Sequence, residues 1–154
     1  MANFKQRIMN KIQRPVTLPR AIICDIDGTL AITGDRSPFD WKKVGLDTLN
    51  YPVAKLVEIM NRYGHKIILC SGRDESCRDE TIKWLKYYQI KYDHLFMRPE
   101  KDNRKDSIIK EEIYNKHIKD KFYIEFVLDD RDQVVDLWRK KLGLPCFQVN
   151  YGNF

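Results

Sequence analysis

Five short apolar runs, at residues 21–25, 66–71, 94–97, 123–129 and 146–149, alternate with stretches whose apolar residues recur at helical spacing, and no other feature narrows the fold as much. Pro52 at a first-turn position precedes Val53, Leu56, Val57 and Met60 at i, i+3, i+4 and i+7, and Gly64 follows as a stop. Cys77, Thr81, Trp84, Leu85 and Tyr88 make a second stripe, and Ile108, Ile109, Ile113 and Ile118 a third. Val134, Val135, Trp138 and Leu142 make a fourth, closed by Gly143. Strand and helix patterns that alternate through short connections predict an α/β fold, a Rossmann-like doubly wound and mostly parallel sheet. The one long irregular stretch, residues 31–51, contains Gly34, Pro38 and Gly45 and predicts a flap, so any cap over the sheet is minimal.

A chain of 154 residues buries roughly 70% of its unfolded surface and suits one domain, here residues 21–154. Residues 1–20 form a basic N-terminal tail: Lys5, Arg7, Lys11, Arg14 and Arg20 stand there without an acid and carry five of the six net positive charges. Such a tail is either a solvated leader or an arm that contacts a phosphate backbone. No apolar run approaches the roughly 18 residues that span a membrane, and no signal-like apolar segment follows the N-terminus. Cys24, Cys70, Cys77 and Cys146 form no C-x-x-C pair. They read as buried reduced thiols of a cytoplasmic protein.

Ligands of open doubly wound sheets bind beyond the carboxyl ends of the strands. Asp25 and Asp27 end the first strand in "CDIDGT", Ser71, Gly72 and Arg73 follow the second in "CSGRD", and Asp129 and Asp130 end the fourth in "LDDRD". Lys105 and Asp106 open the helix after the third. Side chains two apart in an extended chain point the same way, so Asp25 and Asp27 approach one site. Carboxylates crowded together call for a shared proton or a divalent cation, and an all-oxygen cage of this kind suits Mg²⁺. With a hydroxyl, a lysine and two arginines, the set holds what phosphoryl transfer needs: nucleophile, acid, charge clamps and metal. Each residue alone reads as a turn or a helix cap; together, at successive strand ends, they read as a site.

The order "DIDGT", "SGR", "RKD", "LDDR" resembles the four motifs of the haloacid-dehalogenase (HAD) superfamily of phosphohydrolases over residues 20–154. The stretches "DIDGTLAITGDR", "RKDSIIKEEIYNKHI" and "LDDRDQVVDLWRKKLGLPCFQV" are similar to the 3'-phosphatase domain of phage polynucleotide kinase/phosphatase. The resemblance implies Asp25 as the nucleophile that forms an aspartyl-phosphate and Asp27 as its acid/base partner. Thr29, Arg36, Ser71, Gly72, Arg73 and Lys105 then bind the substrate, Ser71 and Lys105 by holding its phosphate, and Arg36, Arg73 and Asp106 support activity. The metal falls to Asp25, Asp27, Asp129 and Asp130, with Mg²⁺ as cofactor. The expected activity is hydrolysis of 3'-phosphate ends of DNA or RNA. Because no G-x-x-x-x-G-K-[ST] stands in the chain, no 5'-kinase is expected with it. Arg36, Arg98, Lys101 and Arg104 are candidates for the track of a nucleic acid beside the cleft. A phosphatase of nucleotides or sugar phosphates is the alternative enzyme, and a non-catalytic module that binds nucleic-acid ends is the alternative of another class.

Overall fold

The computed structural model describes residues 17–37 and 40–153. Residues 1–16, most of the basic tail, lie outside that range. The strands are β1 (Arg20–Cys24), β2 (Ala31–Ile32), β3 (Thr48–Leu49), β4 (Lys66–Asp74), β5 (His94–Arg98), β6 (Tyr123–Asp129) and β7 (Cys146–Gln148). The helices are α1 (Tyr51–Arg62), α2 (Arg78–Tyr87), α3 (Asp106–Ile113) and α4 (Asp132–Asp136). The last two continue as π-helical turns, Tyr114–Ile118 and Leu137–Lys141.

Five strands form one sheet in the order β5-β4-β1-β6-β7, and every neighbouring pair is parallel. The chain runs outward from β1 through β4 to β5, then returns to the other side of β1 for β6 and β7. The strand order therefore reverses at β1, and the crevice beyond its carboxyl end is where such sheets bind ligands.

Period-two alternation supplies a core to each face. Ile22, Cys24, Ile67, Leu69 and Leu128 face α1 and α2 through Val53, Val57, Trp84 and Leu85. Ala21, Ile23, Ile68, Cys70 and Val127 face α3 and α4 through Ile109, Ile113, Val134 and Trp138. Full burial of such aliphatic side chains contributes roughly 1.5–3 kcal/mol each, enough to hold strand ends together against charge crowded at their tips. Ile108, expected in the third stripe, is exposed, since the face of α3 turned to the sheet runs through Ile109 and Ile113.

Two departures from the sequence reading bear on the site. β4 continues past Ser71 to Asp74 through a register shift, pairing Asp74 with Arg98 of β5. The flap is not wholly irregular: β2 and β3 pair antiparallel, and a 3₁₀ helix, Trp41–Leu46, lies between them. Val44 of that helix is buried in the core, and the Trp84 indole donates to the Asp47 carbonyl at 2.8 Å, pinning the flap to α2. All four cysteines are buried free thiols. Among the described residues no helix is long and apolar enough to cross a membrane.

Candidate active site

β1 ends by burying Ile26 completely, with Asp25 and Asp27 on either side of it turned into a cavity of about 100 Å³. The turn that follows is fixed by the Ala31 and Thr29 amides, both donating to the Ile26 carbonyl. Gly28 sits there at φ +81°, where a Cβ would stand 2.1 Å from Asp130 Oδ2. Glycine is thus required twice over, by the backbone and by the carboxylate against it. Gly72 has the same function toward Asp106, whose Oδ1 lies 2.3 Å from the position of a Cβ.

One half of the site is an acid cluster around a lysine. Lys110 Nζ donates to Asp25 at 2.8 Å and to Asp129 at 2.9 Å, and lies 3.5 Å from Asp106. Asp129 also accepts from the Trp138 indole at 3.1 Å and from the amides of Asp130 and Arg131. The Asp130 carboxylate accepts a long bond from the Thr29 hydroxyl, at 3.4 Å. Asp106 is compensated separately by Arg98 at 3.2 Å and Arg131 at 3.9 Å.

The charge balance is unequal, because Asp25, Asp129 and Asp130 face a single ammonium. Burial pushes the Asp25 carboxyl well above the ordinary range, with Lys110 pulling against it and Asp129 adding to it. Burial, then Asp129, push Asp130 up to about 6. Burial works against the charge on Lys110, yet Asp106, Asp129 and Asp25 outweigh it and hold the ammonium well above its usual value. Carboxylate oxygens of Asp25, Asp129 and Asp130 lie within 4.8 Å of one another. Hard, buried oxygens with excess negative charge fit a divalent cation. Asp129 already receives four N–H donors, so Asp25 and Asp130 have the capacity left to bind it.

The other half of the site is an arginine clamp on Asp27. Its Oδ1 accepts from Arg73 Nε at 2.9 Å, Arg73 Nη2 at 2.7 Å and Arg36 Nη2 at 3.0 Å. Both guanidiniums are held from behind by Asp47, which accepts from Arg36 at 2.8 and 2.7 Å and from Arg73 at 2.7 Å. Arg73 is fully buried and also donates to Thr81 at 3.1 Å. Three charge-assisted hydrogen bonds to one oxygen fix the direction of the carboxylate, so the clamp aims Asp27.

Several residues singled out in the sequence therefore stand elsewhere than expected. Lys105 is exposed at the start of α3, and the lysine beside Asp25 is Lys110, one helical turn beyond Asp106. Their i, i+4 spacing in "RKDSIIK" places both on the inward face and is the signal that would have found Lys110. Asp27 lies outside the acid cluster because the arginines hold it apart. Thr29 and Ser71 are fully buried, the former donating to Asp130 and the latter accepting from the Arg73 amide at 3.2 Å. Asp47 belongs to no motif, and nothing in the sequence marks it. Arg98 is drawn inward by the carbonyls of Gly72, Asp102 and Arg104, while Arg104 pairs with Asp102 and Glu112 on the surface. Cavity size alone does not mark the site: a depression of about 450 Å³ between α1 and the end of α2 shares no residue with it.

Residues 19–154 match the family described as the polynucleotide kinase PNKP phosphatase domain. The chain belongs to that family. Among relatives of this PNKP phosphatase family member, a putative bifunctional polynucleotide kinase/RNA ligase of Autographa californica nuclear polyhedrosis virus is 38% identical over 124 residues, 79% of this chain and 18% of that protein. A chain in the structure of the Pnkp1/Rnl/Hen1 RNA repair complex is 49% identical and superimposes with a TM-score of 0.89, over 92% of this chain and 45% of that one. The family member thus spans less than half the length of either. Likeness of fold extends to D,D-heptose 1.7-bisphosphate phosphatase of B. bronchiseptica, complexed with magnesium and phosphate, at 12% identity and TM-score 0.54 over 85% of this chain and 79% of that one.

Proposed function

We propose that the chain is a Mg²⁺-dependent phosphatase that removes phosphate from 3'-phosphorylated ends of DNA or RNA, with Asp25 as nucleophile and Asp27 as acid and base. The observation that carries it is the pairing of two differently held carboxylates across one cavity of about 100 Å³. Lys110 occupies one oxygen of Asp25 and leaves the other for attack. The Asp25 oxygen attacks phosphorus, the bond to the 3'-oxygen breaks, and Asp27 delivers its proton to that oxygen. Asp27 then takes a proton from water, whose oxygen attacks phosphorus, releasing inorganic phosphate and restoring Asp25. Asp25 and Asp130 would hold Mg²⁺, which when bound would supply positive charge to offset that of the phosphate. Among the described residues a hairpin and one 3₁₀ helix stand over the cleft, which leaves access for a polymer end. These 154 residues contain no P-loop, and phosphate removal is the activity their site supports. Four buried thiols suit a reducing compartment such as the cytoplasm.

With Mg²⁺ present, phosphate release from a 3'-phosphorylated oligonucleotide is expected to exceed that from its 5'-phosphorylated twin and from a nucleoside monophosphate by at least about tenfold in kcat/KM. DNA and RNA forms of the oligonucleotide are compared in the same series. Equal rates on all three phosphates would remove the polynucleotide reading and favour a small-molecule phosphatase.

The cation also leaves a pH signature. Asp130 titrates near 6 in the metal-free fold, above its unfolded value, so it weakens the fold as pH rises from about 4 to 6 and keeps that penalty above. Binding Mg²⁺ relieves the penalty where the carboxylate is ionised. The rise in Tm on adding Mg²⁺ is expected to be larger at pH 7.5 than at pH 5, measured by thermal melts with and without chelator. An equal rise at both values would show that Asp130 is not a ligand.

A further inference from the structure

The loop that carries Asp130 is gripped from outside by the segment that follows β7. The Val149 amide donates to the Asp129 carbonyl at 3.0 Å, and the Asp132 amide donates to the Gly152 carbonyl at 2.7 Å. Gly152 is buried, although its neighbours Tyr151 and Asn153 are exposed. A Cβ on it would meet the carbonyl oxygen of Asp130 and would stand 2.6 Å from Arg131 Cα. On the inner side, Gly28 leaves the room that the Asp130 carboxylate occupies. Asp130 is therefore packed between two glycines, one against its carboxylate and one against its carbonyl.

We infer that Gly152 is a positioning residue for the cation site, setting where the Asp130 carboxylate stands relative to Asp25; this rests on the reading of both as Mg²⁺ ligands above. Two carbon atoms cannot stay 2.6 Å apart, and the atoms in the way are backbone, which cannot swing aside as the end of a side chain does. A methyl group at Gly152 has two ways out. Pressing the peptide between Asp130 and Arg131 inward drives Asp130 against the turn at Gly28. Moving the terminal segment outward breaks the bond to Gly152 and leaves the first amide of α4 without its acceptor. Either way the Asp130 oxygens shift relative to Asp25, while Lys110 and Trp138 still hold the Asp129 carboxylate from within. Mg²⁺ demands near-ideal octahedral geometry, so a small displacement of one ligand weakens its binding.

The test is Gly152→Ala in the full chain, with Mg²⁺ as the probe and isothermal titration calorimetry as the readout. Kd for Mg²⁺ is expected to rise roughly 10- to 100-fold, the loss typical when a residue that orients a metal ligand is changed. The rise in Tm on adding a fixed Mg²⁺ concentration at pH 7.5 shrinks with it, and phosphate release recovers as Mg²⁺ is raised. In an Asp130→Asn background the same change is expected to add little, because both act through one carboxylate. Tyr151→Ala, next to Gly152 but 97% exposed, leaves Kd unchanged. Asn150→Ala brings no clash and removes the bond its side chain accepts from the Tyr151 amide at 2.8 Å, which shapes the segment. That variant is expected to raise Kd roughly 2- to 5-fold. It decides the question if Gly152→Ala does not fold, and an unchanged Kd there would overturn the inference.

An unchanged Kd in a folded Gly152→Ala protein with a lowered metal-free Tm would make Gly152 a plain anchor of the terminal segment. Losses that multiply in the Asp130→Asn background would place its effect elsewhere. Both results leave the 3'-phosphatase reading standing as long as the parent binds Mg²⁺ and prefers the 3'-phosphorylated oligonucleotide. A parent that neither binds Mg²⁺ nor needs it would overturn the inference together with that reading.

Discussion

Asp25→Asn is expected to lower kcat for phosphate release by at least about 10⁴-fold while leaving the fold intact. The amide has the size of the carboxylate and still accepts the Lys110 ammonium, but it has no charged oxygen to attack phosphorus. Stability is expected to move the other way. Burial and neighbouring acids disfavour the charged form of Asp25, so an amide there removes an electrostatic cost in the metal-free protein. Without divalent cation the Asn variant should melt at the same temperature as the parent or higher, and with Mg²⁺ it should gain less. Steady-state phosphate release and paired melts check both halves. An active Asn variant would exclude the covalent route, and a collapsed one would make Asp25 part of the scaffold.

Lys110→Met is expected to be the most destabilising single change in the site. The ammonium is buried against Asp25, Asp129 and Asp106, and breaking a buried pair by removing one partner costs about 3–5 kcal/mol. In a domain of about this size that lowers Tm by roughly 6–20 °C. Methionine fills nearly the same space, so the loss is electrostatic rather than a cavity. Added Mg²⁺ should recover part of it, since the cation neutralises the same carboxylates. Lys105→Ala is the comparison: the side chain is exposed, and the change is expected to stay within about 0.5 kcal/mol. Activity falls with Lys110→Met and not with Lys105→Ala. The reverse pattern would restore Lys105 as the phosphate-holding lysine.

The contrast between those lysines shows where reading a sequence stops. A motif read in chain order finds "RKD" and takes its lysine, because nearness in sequence is all it has. In the folded chain α3 presents one face to the sheet, and Asp106, Ile109, Lys110 and Ile113 share it, so the deeper lysine reaches Asp25. Arg36 and Arg73 illustrate a second limit. Their charge suggests clamps on phosphate, yet the structure spends most of their donors on Asp27 and Asp47.

What the sequence determined by itself was everything that depends on local period. Apolar runs and helical stripes specify strands and helices, alternation specifies a parallel sheet with helices on both faces, and two acids on alternate positions after β1 must share a side. Tertiary structure alone decided the partners. Asp47 comes to the site from the far end of a flap, Lys110 from the rotation of a helix, and Gly152 from the segment after β7. These contacts join residues far apart in the chain, chosen by packing and by the need of each buried charge for a partner, and apart from the spacing of Asp106 and Lys110 no local pattern records that choice.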